Sequence, residues 1–316
     1  MNITFRQLQV FAEVARQGSS QRAAAVLHIT PPAVSMQLKE LESQVGMPLF
    51  DREGRQLILS TAGEYFLVHA KRMLTALKDA EGFMGSFQRL DRGQLTIGMV
   101  STAKYFVPQL LARFHQEHPG IDVRLRVALN REQLVNLMKD GEVDLSVMGR
   151  PPREIATRAE PFAAHPLVLV CPPGHPLLAI GNVPVNALVP YPMIARERGS
   201  GTRAAMDALF TDHHVEPNIT MEVSSNETIK QSVMAGLGLS LLSLHTVGLE
   251  LRHDLLCILD VDGTPLMRSW FVVRMQSRQL SPAAEAFRYF IIEHGEAHLL
   301  EHDAPLLGPA RNVRPD

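Results

Sequence analysis

Residues 18–41, GSSQRAAAVLHITPPAVSMQLKEL, constrain this chain more than any other stretch. They read as two short helices joined by a tight turn. Thr30 is placed to cap the second, because its hydroxyl can accept from an otherwise free amide of the first turn. Pro31 follows at the first helical position, where no amide hydrogen is required and φ is already set. Beyond it Val34, Leu38, Leu41 and Val45 recur at i, i+4, i+7 and i+11, a narrow apolar stripe. At about 100° per residue, Pro32, Ser35, Met36 and Lys39 fall on the opposite side. That face is small at the helix start and cationic further along, which suits entry into a DNA major groove by the first turns. In the preceding helix Ala23, Ala24 and Leu27 let the two backbones pack closely. The motif is a helix-turn-helix.

Its flanks fit the same reading. Thr4 and Gln7 have capping-box spacing and open a first helix, with Leu8, Phe11, Ala12 and Ala15 on one face, and Gly18 ends it. Gly46-Met47-Pro48 stops the third helix. LFDREGRQLILS reads as strand, turn at Glu53-Gly54, and strand, which makes a wing. Arg52 and Arg55 flank that turn, where they can reach phosphates or a minor groove; otherwise they are ordinary exposed turn residues. Thr61 and Glu64 form a second capping box at the head of a long helix. Its apolar positions Phe66, Ala70, Met73, Leu77, Ala80, Met84 and Phe87 are spaced 4, 3, 4, 3, 4, 3. A strict heptad predicts a helix paired with another, hence a dimer, whereas a helix packed on its own domain needs no such regularity. Gly82 and Gly85 weaken its far end by roughly 1 kcal/mol each. Running to residue 89, it would span about 42 Å.

From Gly93 the texture changes. Strand patterns GQLTIGMV, IDVRLRVAL, DLSVMG, LVLVCP, YPMIA, ITMEV, LGLSLLS, CILDV and WFVVRM alternate with helical stretches at 105–117, 131–139, 202–213, 227–236 and 282–294. Such alternation implies a parallel or mixed sheet covered on both faces. Nearly two hundred residues of it suggest two lobes. The tail 303–316 is proline-rich and without periodicity, so disorder is expected there.

At 316 residues the chain is too long for one small core. A net charge of −2 gives no global sign of nucleic-acid binding. The first 65 residues are also balanced, with Arg6, Arg16, Arg22, Lys39, Arg52 and Arg55 against Glu13, Glu40, Glu42, Asp51, Glu53 and Glu64. Any DNA affinity must come from charge placement, a point that weighs against the DNA reading. Cys171 and Cys257 lie in apolar runs and read as buried reduced thiols. The N-terminus carries no cleavable apolar core, and the most apolar stretch, Val233–Leu244, is too short to span a bilayer, so a cytoplasmic location without membrane contact is expected. An enzyme would need a constellation that is hard to find. His213-His214, His294 and His298 lack companions at metal-ligand spacing. Gly236-Leu237-Gly238 begins a dinucleotide-like pattern, but Leu241 takes the third glycine's place and a strand follows. A transport-type solute-binding protein would explain the second half alone and would want a signal peptide.

AAAVLHITPPAVSMQLKELE, the wing LFDREGRQLILSTAG, the linker helix and the βα-rich second half together resemble the LysR-type transcriptional regulators, up to about residue 300. STAKYFVPQLLARF, MGRPP, GSGTR, VSSNETIKQSVMAGLGLSLLS and RSWFVVR look most like the regulators of Calvin-cycle carbon-fixation operons. The resemblance implies a multidomain α/β protein: a winged helix-turn-helix over 1–60, a dimerising linker helix over 61–92, and a two-lobed effector domain over 93–302, similar to periplasmic binding proteins. Lobe I is expected over about 93–163 and 268–302, lobe II over about 164–267. In the family, Gln often precedes the proline matching Pro32 and Arg often follows the serine matching Ser35. Pro31 and Met36 stand there instead, so reading by shape and thymine-methyl contact is expected.

Three segments of the second half share a design of strand, small polar residues and helix start: Ser101-Thr102, Gly199-Ser200-Gly201-Thr202 and Ser224-Ser225-Asn226. Free amides and the positive end of a helix make such a turn an anion site, although any one alone is an ordinary cap. With Lys104, Arg150 and Arg203 nearby, they would suit a small ligand bearing carboxylates or phosphates. The resemblance implies a ligand between the lobes, flanked by residues matching Ser101, Thr102 and Thr202. For the carbon-fixation branch it implies a phosphorylated metabolite such as ribulose bisphosphate, phosphoglycolate or phosphoenolpyruvate, or else NADPH; Arg150 and Arg203 are then expected, on their charge alone, to pair with phosphate. Neither a metal nor a covalent cofactor is expected. The implied partners are double-stranded promoter DNA, further copies of the chain in a homodimer or homotetramer, and RNA polymerase. Ligand binding would close the cleft, move the linker helices and change a DNA bend.

Overall fold

The computed structural model describes residues 2–53, 56–86 and 93–303, and the chain divides into an N-terminal and a C-terminal unit. The first begins with α1 (Phe5–Gln17), α2 (Ser20–Leu27) and α3 (Pro31–Val45). Thr4 and Gln7 form the expected capping box on α1. The buried face of α1 turns toward Leu8, Val10, Phe11 and Val14, leaving Ala12 and Ala15 half-buried, because the larger side chains gain more from leaving water. Ser19 caps α2, and His28 takes the left-handed conformation (φ 53°) that ends it and opens the turn.

Strands β1 (Phe50–Glu53) and β2 (Gln56–Leu59) pair antiparallel as the wing. Phe11 meets Phe50 at 5.3 Å and Phe66 at 5.2 Å between ring centroids, so one aromatic ties wing and following helix to α1. That helix, α4, runs Thr61–Ser86. Its cap is Ser60 rather than Thr61: the Gly63 amide donates to Ser60 Oγ at 3.0 Å and the Glu64 amide to the Ser60 carbonyl at 2.9 Å. Gly63 has no alternative, since a Cβ there would sit 2.0 Å from the Leu49 carbonyl oxygen. Along the heptad, Ala70 is fully buried and Phe66 half-buried in this unit's own core, while Met73 is 41% exposed. The first heptad positions thus serve intradomain packing. The side chains of Ala80 and Met84, and residue Phe87, lie outside the described part.

The second unit alternates strands and helices. It runs β3 (Gly93–Val100), a 3-10 turn Ser101–Tyr105, α5 (Val107–Glu117), β4 (Ile121–Ala128), α6 (Arg131–Lys139), β5 (Leu145–Met148) and β6 (Thr157–Cys171). After these come β7 (Met193–Arg196), α7 (Gly201–Asp212), β8 (Ile219–Val223), α8 (Asn226–Met234), β9 (Ser240–Ser243), α9 (Gly248–Arg252), β10 (Cys257–Leu259), β11 (Leu266–Met275) and α10 (Pro282–Asp303). β4, β3 and β5 are parallel neighbours, and β11 and β6 extend the sheet antiparallel. The far half of β6 pairs with β9 and β10, while β7 and β8 form a parallel pair bridged to this half at Met193 and Leu239.

β6 starts ten residues before the apolar run at 167–172, because Pro161 and Pro166 disguise its first half as a loop. β11 covers both prolines, opposite Phe271 and Met267. The ladder they share crosses between two sets of cores. Ala163 and Trp270 pack with α5 and α10 on one side of the crossing; Leu167 and Leu266 pack with α7 on the other. Further clusters under α6 and under α8 cover the opposite faces, so the mixed sheet is buried on both. α10 continues to Asp303, where the tail was expected to begin; residues 304–316 lie outside the described part. Cys171 and Cys257 are free and face each other across the ladder, and burial pushes the Cys171 thiol up to about 12. Among the described residues no helix is long and apolar enough to cross a membrane.

Candidate functional site

The helix-turn-helix separates its two faces cleanly. Val34, Leu38 and Leu41 are buried, whereas Pro31, Pro32, Ser35, Met36 and Lys39 are exposed, Met36 by 61%. Thr30 caps α3 through the Ala33 amide at 3.4 Å. The whole candidate reading face therefore stands free of its own core, and Met36 leaves an apolar side chain in water. Arg52 lies on β1 opposite Leu57, its side chain outside the described part, and Arg55 lies outside the described residues altogether.

In the second unit a cleft opens where the lobes meet. On the first lobe it gathers the carboxyl ends of the parallel strands, the position that open α/β sheets reserve for ligands. Ser101 and Thr102 follow β3, Asn130 and Arg131 follow β4, and Gly149 and Arg150 follow β5. The second lobe contributes Arg196, Glu197, Ser200, Gly201 and Thr202. Ser200 is the N-cap residue of α7 but makes no capping bond, so its hydroxyl is not committed to that helix.

Of the residues anticipated from sequence, Ser101, Thr102, Arg150, Gly201 and Thr202 line this cleft. Arg203 does not. Its buried guanidinium donates to Asp207 at 2.8 Å, to Glu222 at 2.9 Å and to the Arg196 carbonyl at 3.1 Å. Burial works against that charge, but the two carboxylates more than offset it and raise its pKa. Lys104 lies over the Tyr105 ring at 5.1 Å and is not part of the lining. Ser224 is also outside it, and Ser225 serves as an ordinary cap, accepting from the Thr228 amide at 3.2 Å. Asn226 acts one step back, accepting from Arg196 at 2.7 Å. The third helix start at the cleft is that of α6, where Asn130 caps Gln133 at 2.9 Å.

Arg196, His165 and Arg268 are not among the site residues expected from sequence, although Arg268 opens the stretch RSWFVVR, and all three line the cleft. Arg196 is buried and held by Glu197, Asn226 and, at 3.5 Å, by Ser101 Oγ from the other lobe. Arg268, opposite His165 in the β6–β11 ladder, donates to the Gly149 carbonyl at 3.1 Å and to the Gly201 carbonyl at 2.8 Å. Burial and the neighbouring Arg150 charge lower its pKa. His165 is 4% exposed and stacks on Trp270 with centroids 4.0 Å apart. Burial first, then His245 and Arg268, hold its pKa well below the usual histidine value, so the ring is neutral. For His165 and Arg268 the signal was a polar residue interrupting an apolar strand, AAHPLVLV and MRSWFVV. Arg131 is neutralised by a bidentate pair with Glu154 at 2.8 and 2.9 Å, and that pairing holds the Glu154 carboxyl down to about 2.

A family described as bacterial regulatory helix-turn-helix protein, lysR family, matches residues 5–64, and the LysR substrate binding domain matches residues 88–296. The chain belongs to the LysR family of transcriptional regulators. It is 49% identical over 311 residues to the HTH-type transcriptional regulator CfxR of Cupriavidus necator, covering 98% of each chain. To the RuBisCO operon transcriptional regulator of Allochromatium vinosum it is 43% identical, covering 92% of this chain and 96% of that one. Among solved structures, the Synechocystis CcmR regulatory domain in complex with 2-PG is 40% identical (TM-score 0.61), covering 63% of this chain and 96% of that one. Full-length CbnR complexed with its target DNA shares the fold at 22% identity and TM-score 0.69, covering 92% of this chain and 99% of that one. These relatives are regulators, not enzymes, and the second unit is of the kind that binds small metabolites.

Proposed function

We propose that this regulator controls a carbon-fixation operon, as an activator, and that a small phosphorylated metabolite bound in the cleft sets its activity. One observation carries the ligand class: the lining holds four guanidinium groups, Arg131, Arg150, Arg196 and Arg268, against the single carboxylate of Glu197. Arg131 and Arg196 have carboxylate partners, but among the described residues none pairs with Arg150 or Arg268. Hydroxyls at helix starts supply further donors suited to an oxyanion. The names of the relatives support the operon, and the 2-PG complex of the Synechocystis domain supports a phosphorylated acid of that size.

In this reading α3 enters the major groove through Thr30, Pro31, Pro32, Ser35, Met36 and Lys39, while Arg52 and Arg55 on the wing hold the backbone. The rest of α4 pairs two chains, as a homodimer or homotetramer in the cytoplasm, and RNA polymerase is the downstream partner. Ligand binding acts by favouring one arrangement of the lobes over another. Footprinting on the upstream region of the chain's own gene neighbourhood, with and without 2-phosphoglycolate, ribulose bisphosphate or phosphoenolpyruvate, tests this. Protection over two half-sites, shortened by one of these ligands, is the expected result. A footprint indifferent to all three would remove the phosphorylated effector.

A further inference from the structure

Arg268 and His165 form a cross-strand pair at the point where the ladder passes from one lobe to the other. Arg268 spends its donors on two neutral carbonyls, Gly149 on the first lobe and Gly201 on the second, so it clasps both without a counter-charge. Its nearest charged influence is another cation, Arg150. Beside it both ring nitrogens of His165 are buried and have no hydrogen-bond partner among the described residues. A buried polar group left in that condition costs free energy that a suitable ligand can recover. The guanidiniums of Arg150 and Arg268 and the unsatisfied neutral imidazole line the same cleft as four hydroxyls, those of Ser101, Thr102, Ser200 and Thr202.

Resting on the effector reading above, we propose that Arg268, supported by His165, is the residue that reads the charge of the ligand, and that it selects a phosphate monoester dianion over a carboxylate. The geometry argues for phosphate on two counts. A phosphoryl group presents three acceptor oxygens, enough to meet Arg150, Arg268 and the imidazole together, where a carboxylate presents two. Its double charge also relieves the repulsion between the two arginines on one atom centre, and guanidinium forks match phosphate geometry closely. Because the same guanidinium holds both lobes, drawing it toward an anion alters the link between them.

Trp270, the chain's sole tryptophan, lies against His165 and serves as the reporter. The full-length protein is titrated with 2-phosphoglycolate and with malonate, by calorimetry and by Trp270 emission. Wild type is expected to bind 2-phosphoglycolate at least about tenfold more tightly than malonate. Arg268→Gln should erase that preference by weakening 2-phosphoglycolate about tenfold or more while changing malonate less than about threefold. Arg268→Lys keeps the cation and a donor to the glycine carbonyls, so it guards against a folding failure and should recover part of the preference. His165→Phe preserves the stack on Trp270 and should weaken 2-phosphoglycolate by about three- to tenfold. Equal losses for both anions in Arg268→Gln would overturn charge reading, as would unchanged 2-phosphoglycolate affinity. Wild type preferring malonate overturns the phosphate assignment while leaving a cleft effector in place. Wild type that binds neither probe overturns the effector reading itself, and this proposal with it.

Discussion

His165 is a neutral imidazole in a buried stack, and that condition has a consequence for stability. Its pKa is depressed in the folded chain and returns to about 6.5 on unfolding. Below that value the unfolded state binds the extra proton and the folded state does not, so stability falls as pH drops through the window beneath 6.5. Thermal unfolding followed from pH 7.5 to 5.5 should show a steeper loss for wild type than for His165→Phe. Gly149 is the neighbour that makes the stack possible: a Cβ there would lie 2.7 Å from His165 Nδ1. Gly149→Ala is expected to cost about 1–3 kcal/mol of stability, from overpacking, and to displace the ring from the cleft. Chemical denaturation combined with the Trp270 emission maximum measures both.

Among the elements, α3 is the one on which sequence and structure agree residue by residue. Its stripe, its cap and its exposed face all follow from period and turn chemistry, which are local. Thr30→Ala should destabilise the N-terminal unit by about 1 kcal/mol, read as a shift of its denaturant midpoint. Lys39→Ala should weaken DNA binding about equally for all sequences and reduce the salt slope by about one, checked by titrations at several salt concentrations. α4 was legible as a helix but not in its partner, because a heptad records only that an apolar stripe exists. Phe66 and Ala70 spend that stripe on their own core. The cleft was half legible. Small polar residues before α7 and after β3 announce a helix start with free amides, whereas Arg268 and His165 come together only through the register of a ladder spanning about a hundred residues of sequence. Arg203 misled in spite of a local sign: Asp207 sits four residues on along the same helix, an ordinary i,i+4 pair, and only Glu222 on β8 was hidden by the fold.

At the scale of the molecule, the C-terminal unit has cores of its own on both faces of its sheet. A fragment of residues 93–303 is therefore expected to unfold cooperatively and to bind 2-phosphoglycolate within about threefold of the full chain, measured by calorimetry, while losing promoter binding entirely. The two lobes share one long pair of strands, β6 with fifteen residues and β11 with ten, whose register shifts once between Trp270 and Phe271. Such a ribbon behaves as a leaf spring and not as a swivel. The irregularity between Trp270 and Phe271 marks where its bending would concentrate.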